Sequence, residues 1–268
     1  MTALRALRRA GARSLCVLGL GLGLAGLTGC PNRIARPADG PTEPAPVLAR
    51  LAERTRALTS LSGMISLEVW RGDERVKLRQ LLLVQRPDHI RVDTLSPFDQ
   101  PLAMMASDGQ SVTIYSLEQR RYEQGPATPG HLARLLRLPL TGDELTSVLA
   151  GGVPVRPDAQ ATLDWDDTAG AYILDLRTPE RRQRLLVEPV AFRISEIRTY
   201  QGDTLVFVAR FGDYDGEGPT AVPRRMRFEV PAEKMRVDAQ FDDHTVNVSP
   251  PPDAFVIPVP RGIPVEPL

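Results

Sequence analysis

From Gly63 onward, apolar and polar residues alternate at a period of two. The stretches "GMISLEVW", "RVKLRQLLLVQ", "HIRVDTL", "LAMMASDG" and "SVTIYSLEQRRYEQG" read as successive short strands, separated by Gly, Asp and Pro signals at the spacing of an antiparallel meander. Upstream the period is helical. Residues 47–61 place Leu48, Leu51, Leu58 and Leu61 on one stripe with Arg and Glu between them, which predicts an amphipathic helix of about four turns. A helical interlude also splits the strands. Thr128-Pro129 suits an N-cap and first turn ahead of Leu132, Leu135 and Leu136. Thr141 and Glu144 have capping-box spacing before Leu145, Val148 and Leu149, and Gly151-Gly152 with Pro154 stops that helix. Alternation then resumes in "ATLDWDD", "AYILDLR", "RLLVEP", "FRISEIRTYQ", "TLVFVARFGDYD", "RRMRFEV" and "MRVDAQF". About eleven strands, one N-terminal helix and a central helical pair predict a mainly β (α+β) domain, a single curved antiparallel sheet with helices on its concave side.

The first residues change the picture of where this domain works. Arg5, Arg8, Arg9 and Arg13 precede the apolar run "SLCVLGLGLGLAGLTGC", the pattern of a signal peptide whose apolar segment is short for a membrane span. The run ends in Leu27-Thr28-Gly29-Cys30, which resembles the bacterial lipobox, so Cys30 is expected to become the acylated first residue of the mature chain. Cys16 would leave with the signal, and no thiol would remain for a disulfide, a metal or nucleophilic catalysis. Several acyl chains on one cysteine anchor firmly, since each buried CH₂ contributes about 0.8 kcal/mol. In outer-membrane lipoproteins an Asp after that cysteine tends to retain the protein at the inner membrane. Pro31 stands there, which favours the outer membrane.

The expected organisation is a signal peptide over residues 1–29, a lipidated cysteine with a Pro-rich tether over 30–46, a domain over 47–248 and a strap over 249–268. The strap holds seven prolines after Ser249, too many for a central strand. Removing residues 1–29 takes four arginines and no acid, which leaves 29 basic against 33 acidic residues. A nucleic-acid-binding face is not suggested.

Candidate chemistry adds little. The G-x-G-x-x-G string at Gly21–Gly26 lies in the signal peptide, without the strand and helix a nucleotide site requires. His89, His131 and His244 have no neighbour at metal-ligand spacing. Asp213, Asp215 and Glu217 lack the length of a calcium loop, and Asp164, Asp166 and Asp167 read as strand end and turn. No G-x-S-x-G elbow is present. The expectation is a protein that is no enzyme, with no metal and no cofactor. One local oddity remains: "DTLSPFDQPL" sets a large apolar ring, Phe98, at a turn held between Pro97 and Pro101.

Four stretches together resemble the outer-membrane lipoprotein receptor LolB and its periplasmic partner LolA. "TLSPFDQPLAMM" resembles the receptor's strand–turn–strand segment with a protruding leucine. "GHLARLLRLPLTGDELTSVLAGGVP" resembles the helical lid. "FRISEIRTYQGDTLVFVARFGDYD" resembles paired strands ending in a Tyr-Asp hairpin, and "AVPRRMRFE" the strand that follows. The likeness covers roughly residues 47–240. It departs at Phe98, where the family has Leu, at Asp99, where it has Gly, and in the Pro-rich tail, which looks more like a related group of lipoproteins with the same fold.

The resemblance implies an incomplete β-barrel with helices as a lid over an apolar cavity. It implies a function too: a receptor or insertase that takes acyl chains of lipoproteins from a LolA-like carrier and delivers them to the outer membrane. Leu95, Pro97 and Phe98 would form the membrane-inserting loop. Trp70, Met104, Met105, Leu132, Leu135, Leu136, Leu145 and Leu149 are the cavity and lid candidates, although the same residues suit a packed core. A monomer is expected. The rival expectation is a lipid-binding or structural envelope lipoprotein of the same fold without transfer activity.

Overall fold

Each alternating stretch forms a strand, and the strands join in one sheet. The computed structural model describes residues 33–268 except residue 157, with backbone alone for residues 133–136. Helix α1 (Pro44–Ala57) leads into β1 (Ser60–Arg71), β2 (Glu74–Gln85), β3 (His89–Leu95), β4 (Pro101–Asp108), β5 (Ser111–Ser116) and β6 (Arg121–Pro126). Helices α2 (Pro129–Leu136) and α3 (Gly142–Leu149) follow. The chain continues through β7 (Gln160–Asp166), β8 (Ala171–Arg177), β9 (Arg182–Val187), β10 (Ile194–Gln201), β11 (Thr204–Asp215), β12 (Val222–Val230) and β13 (Met235–Phe241). Two short strands end it, β14 (Thr245–Val246) and β15 (Val265–Pro267).

Two antiparallel meanders, β1 to β6 and β7 to β13, meet where β13 pairs with β1, Ile65 opposite Phe241 and Arg71 opposite Met235. The outermost strands, β15 and β7, do not pair with each other, so the sheet is curved but open. Fifteen strands stand among the described residues, against about eleven expected. Part of the difference is the turn over residues 117–120, which divides "SVTIYSLEQRRYEQG" into β5 and β6 without Gly or Pro. Arg120 takes the left-handed conformation there, at φ 53°. β14 and β15 are two and three residues long, and β15 joins β6 in parallel.

Helix α1 starts at Pro44 and ends at Ala57, earlier at both ends than the leucine stripe suggested. Val47 and Leu51 are its buried apolar contacts, while Leu58 caps it and Leu61 already belongs to β1. Both caps of the helical pair form as expected. Thr128 accepts from the His131 amide, and Thr141 and Glu144 close a reciprocal capping box. Gly151 ends the turn after α3 at φ 70°, where a Cβ would lie 2.6 Å from Pro223 Cδ, so a side chain is excluded.

Two segments outside the meanders are docked. Ile34 donates to the Asp167 carbonyl and accepts from the Trp165 indole at 2.8 Å, so the stretch expected as a tether lies against β7 and β8 from its first described residues. The C-terminal strap crosses the outer face of β3 to β6. Tyr122 donates to the Ile257 carbonyl at 2.8 Å, Arg91 donates to the Ala254 carbonyl, and Phe255 packs edge-on against His89. Ala106, Tyr122 and Ile257 form a small second core beneath it.

Candidate functional site

Parity decides which side chains face inward. Ile65, Leu67 and Val69 of β1, Val76, Leu78 and Leu82 of β2, Ile90 and Val92 of β3, and Phe228, Met235, Val237 and Ala239 of β12 and β13 share the inner face. A cavity of about 420 Å³ remains between them and α3, which contributes Leu145 and Leu149. Leu138 from the α2–α3 connection adds to the wall, and Arg71, Glu74 and Arg137 are the charged side chains among its lining. Val76 is 51% exposed although it belongs to this wall.

The helix over the cavity is held at both flanks. Arg86 donates to Ser147 Oγ at 2.7 Å and to the Leu58 carbonyl, joining α3 to the end of α1. Burial pulls the Arg86 guanidinium below its ordinary pKa. On the far side Glu144, only 3% exposed, pairs with Arg181 at 2.5 Å, and Arg181 also donates to the Pro139 carbonyl. Glu144 accepts from the Thr141 amide as well, so one carboxylate serves the helix cap and the link to the β8–β9 turn.

The turn between β3 and β4 is the other distinct feature. The Phe98 ring is 85% exposed. The Phe98 and Gln100 amides both donate to Ser96 Oγ, and the Ser96 amide donates to the Gln100 carbonyl. Asp99 sits at φ 57°, the left-handed conformation that glycine adopts most readily, and its carboxylate accepts from Arg79 at 2.6 Å. Pro97 and Leu102 are also exposed, whereas Leu95 is buried.

The expected residues divide accordingly. Leu145 and Leu149 line the cavity, while Met105 and Leu132 are buried in the main core. Trp70 and Met104 are on the opposite face and do not line it. The parity of β1 turns Trp70 outward, where Arg236 and Arg75 lie over its ring at 4.0 and 5.3 Å. Met104 packs against the small core under the strap. Cys30 and the side chains of Leu135 and Leu136 lie outside the described residues. The wall residues of β2 and β13 were not singled out from sequence. The alternation of Val76, Leu78 and Leu82 with Arg75, Lys77 and Arg79 carried the signal.

The outer face is polar. Glu68 is bridged by Lys77 and Arg75, whose hydrogen bonds hold its carboxyl below the usual range. Arg227 grips Asp238 with two hydrogen bonds. Asp166 and Asp215 cap their own turns, and Asp213 pairs with Arg225. Among the described residues no group of three or more His, Cys, Asp or Glu is placed to hold a metal, and no helix is long and apolar enough to cross a membrane.

An open sheet, antiparallel but for its last short strand, with helices on its inner face defines the structural class, and known structures share that fold. A DUF1329 family protein from Desulfovibrio piger superposes with a TM-score of 0.58 at 14% identity, over 78% of this chain and 97% of that one. A LolA superfamily protein from Nitrosomonas europaea gives 0.57 at 13% identity, over 81% and 99%. A domain from Vibrio parahaemolyticus whose name refers to outer-membrane lipoprotein sorting gives 0.57 at 9% identity, over 79% and 95%. Residues 74–138 match the family model described as "Predicted periplasmic protein (DUF2092)". No curated protein matches the sequence. At these identities the likeness is one of fold.

Proposed function

We propose that this protein is a LolB-like lipoprotein receptor at the periplasmic face of the outer membrane. It binds acyl chains of lipoproteins in the inner cavity and delivers them to the membrane. The observation that carries the reading is the cavity, an apolar space of about 420 Å³ under α3. Acyl chains leave water for such a space without any bond being made, and concave apolar sites of roughly 300–1,000 Å³ are the usual form of small-ligand sites. In this reading α2 and α3 are the lid, with Leu132, Leu145 and Leu149 on its underside.

Phe98 supplies the contact with lipid. Burying its ring contributes about 1.5–3 kcal/mol, too little to anchor a protein but enough to orient one already tethered through an acylated Cys30. A soluble LolA-like carrier is the donor, and the receptor works as a monomer without cofactor, metal or nucleic acid. No catalytic group is invoked. Transfer runs downhill if the cavity holds acyl chains more tightly than the carrier does and less tightly than the bilayer.

A second reading, a lipid-binding or structural envelope lipoprotein without transfer activity, is favoured by the size of the cavity. Its volume of about 420 Å³ lies toward the small end of the roughly 300–1,000 Å³ range of small-ligand sites. Depleting the protein and fractionating the envelope separates the two. The receptor reading predicts outer-membrane lipoproteins accumulating in the wrong compartment, and their correct placement would refute it.

A further inference from the structure

Two arginines in the lining of the apolar cavity are in no short ion pair among the described residues. Several arginines of the sheet are held in short ion pairs: Arg75 to Glu68 at 2.5 Å, Arg79 to Asp99 at 2.6 Å, Arg210 to Glu229 at 2.6 Å and Arg227 to Asp238 at 2.5 Å. Arg71, at the end of β1, reaches Glu233 only at 3.9 Å, which is too long for a hydrogen bond. Arg137 follows α2 in the left-handed conformation, at φ 56°, exposed and in no ion pair among the described residues. Both residues belong to the lining of the apolar cavity. An apolar space bordered by two guanidinium forks with unused donors matches an amphiphile, its tail within and its anionic oxygens on the arginines.

We propose that the cavity takes a single acyl chain whose head is an anion with two or three oxygens, a carboxylate or a phosphate monoester, held by Arg71 and Arg137. This rests on the reading of the cavity as an acyl site, though not on transfer activity. Glu74 stands opposite Arg71 in the β1–β2 hairpin and Glu233 lies near it, so the rim is not uniformly positive. Selection therefore comes from short-range bonding of the forks to oxygen, not from a field that draws in any anion.

The test uses the mature chain carrying Cys30→Ser, titrated with palmitate, hexadecyl phosphate and hexadecanol, three probes that share a tail. Palmitate, hexadecyl phosphate or both should bind at least about tenfold more tightly than hexadecanol, as charge-assisted hydrogen bonds imply. The anion that shows the gain identifies the head. The double variant Arg71→Gln, Arg137→Asn should bring the affinity for the anionic probes down to that for hexadecanol, and retained hexadecanol binding reports that the variant folds. Asn tolerates the left-handed backbone at residue 137. Equal affinities for all three probes, or a preference that survives the double variant, would overturn the proposal while leaving the acyl site standing. Failure of hexadecanol itself to bind would overturn the acyl reading and this proposal together.

Discussion

The inner face of one sheet is treated in two ways. Over β8 to β11 it is filled: Tyr172, Leu174, Leu185, Ile194, Ile197 and Phe207 are at most 1% exposed, and Val47 and Leu51 of α1 are buried in the same core. Over β1 to β3 and β13 the same alternation supplies Leu67, Val69, Leu78, Val92 and Val237, yet each of these remains only partly buried around a cavity. The contrast teaches that the β8–β11 side is packed for stability, whereas the β1–β3 and β13 side keeps part of its apolar wall uncovered. Such surface has a physical use only if something else covers it.

Substitutions can break or sharpen that contrast. Phe207→Ala, in the filled half, should cost about 3–5 kcal/mol in urea unfolding, the range for a buried ring; a loss below about 1 kcal/mol would mean that this half is not the stabilising one. Arg181→Met should cost about 3 kcal/mol by leaving Glu144 buried without its partner, and retention of full stability would show that the pair does not hold α3 in place. Tyr122→Phe, which deletes the bond to the Ile257 carbonyl, should cost about 1 kcal/mol and make the strap more open to protease. Val76→Ala, on the open wall, should cost less than about 1 kcal/mol, and a cost like that of Phe207 would erase the contrast. Phe98→Glu should change stability by no more than about 0.5 kcal/mol and, under the proposed receptor function, abolish delivery of lipoproteins to liposomes; unchanged delivery would remove the ring from that proposal.

Much of this fold was legible because its strands alternate cleanly and its helices are capped by Thr128 and Thr141. What escaped the sequence has physical causes. The β5–β6 turn places Arg120 where a glycine would have announced it. The parallel pairing of β15 with β6 joins Val265 to Tyr122 and is not a local property of a Pro-rich tail. In the site, size misled where parity would have guided. Trp70 and Met104 are large and apolar, but Glu68 shares the outward parity of Trp70 in β1, and Trp70 follows it into a stack of arginines. Leu67, Val69 and Val76 are unremarkable residues, and only their common phase marks them as a wall. The turn at Phe98 was legible from its two prolines, whereas the brace from Arg79 to Asp99 depends on the pairing of β2 with β3.

The measurement that tests the contrast most directly is photo-crosslinking with a palmitoyl probe carrying a diazirine at its far end, followed by mass-spectrometric mapping of the adducts. If the open half is an acyl site, saturable labelling falls on β1, β2, β13 and α3, at residues such as Leu67, Val76, Val237 and Leu145. Labelling confined to β8 to β11, or none that competes with unlabelled chain, would contradict it.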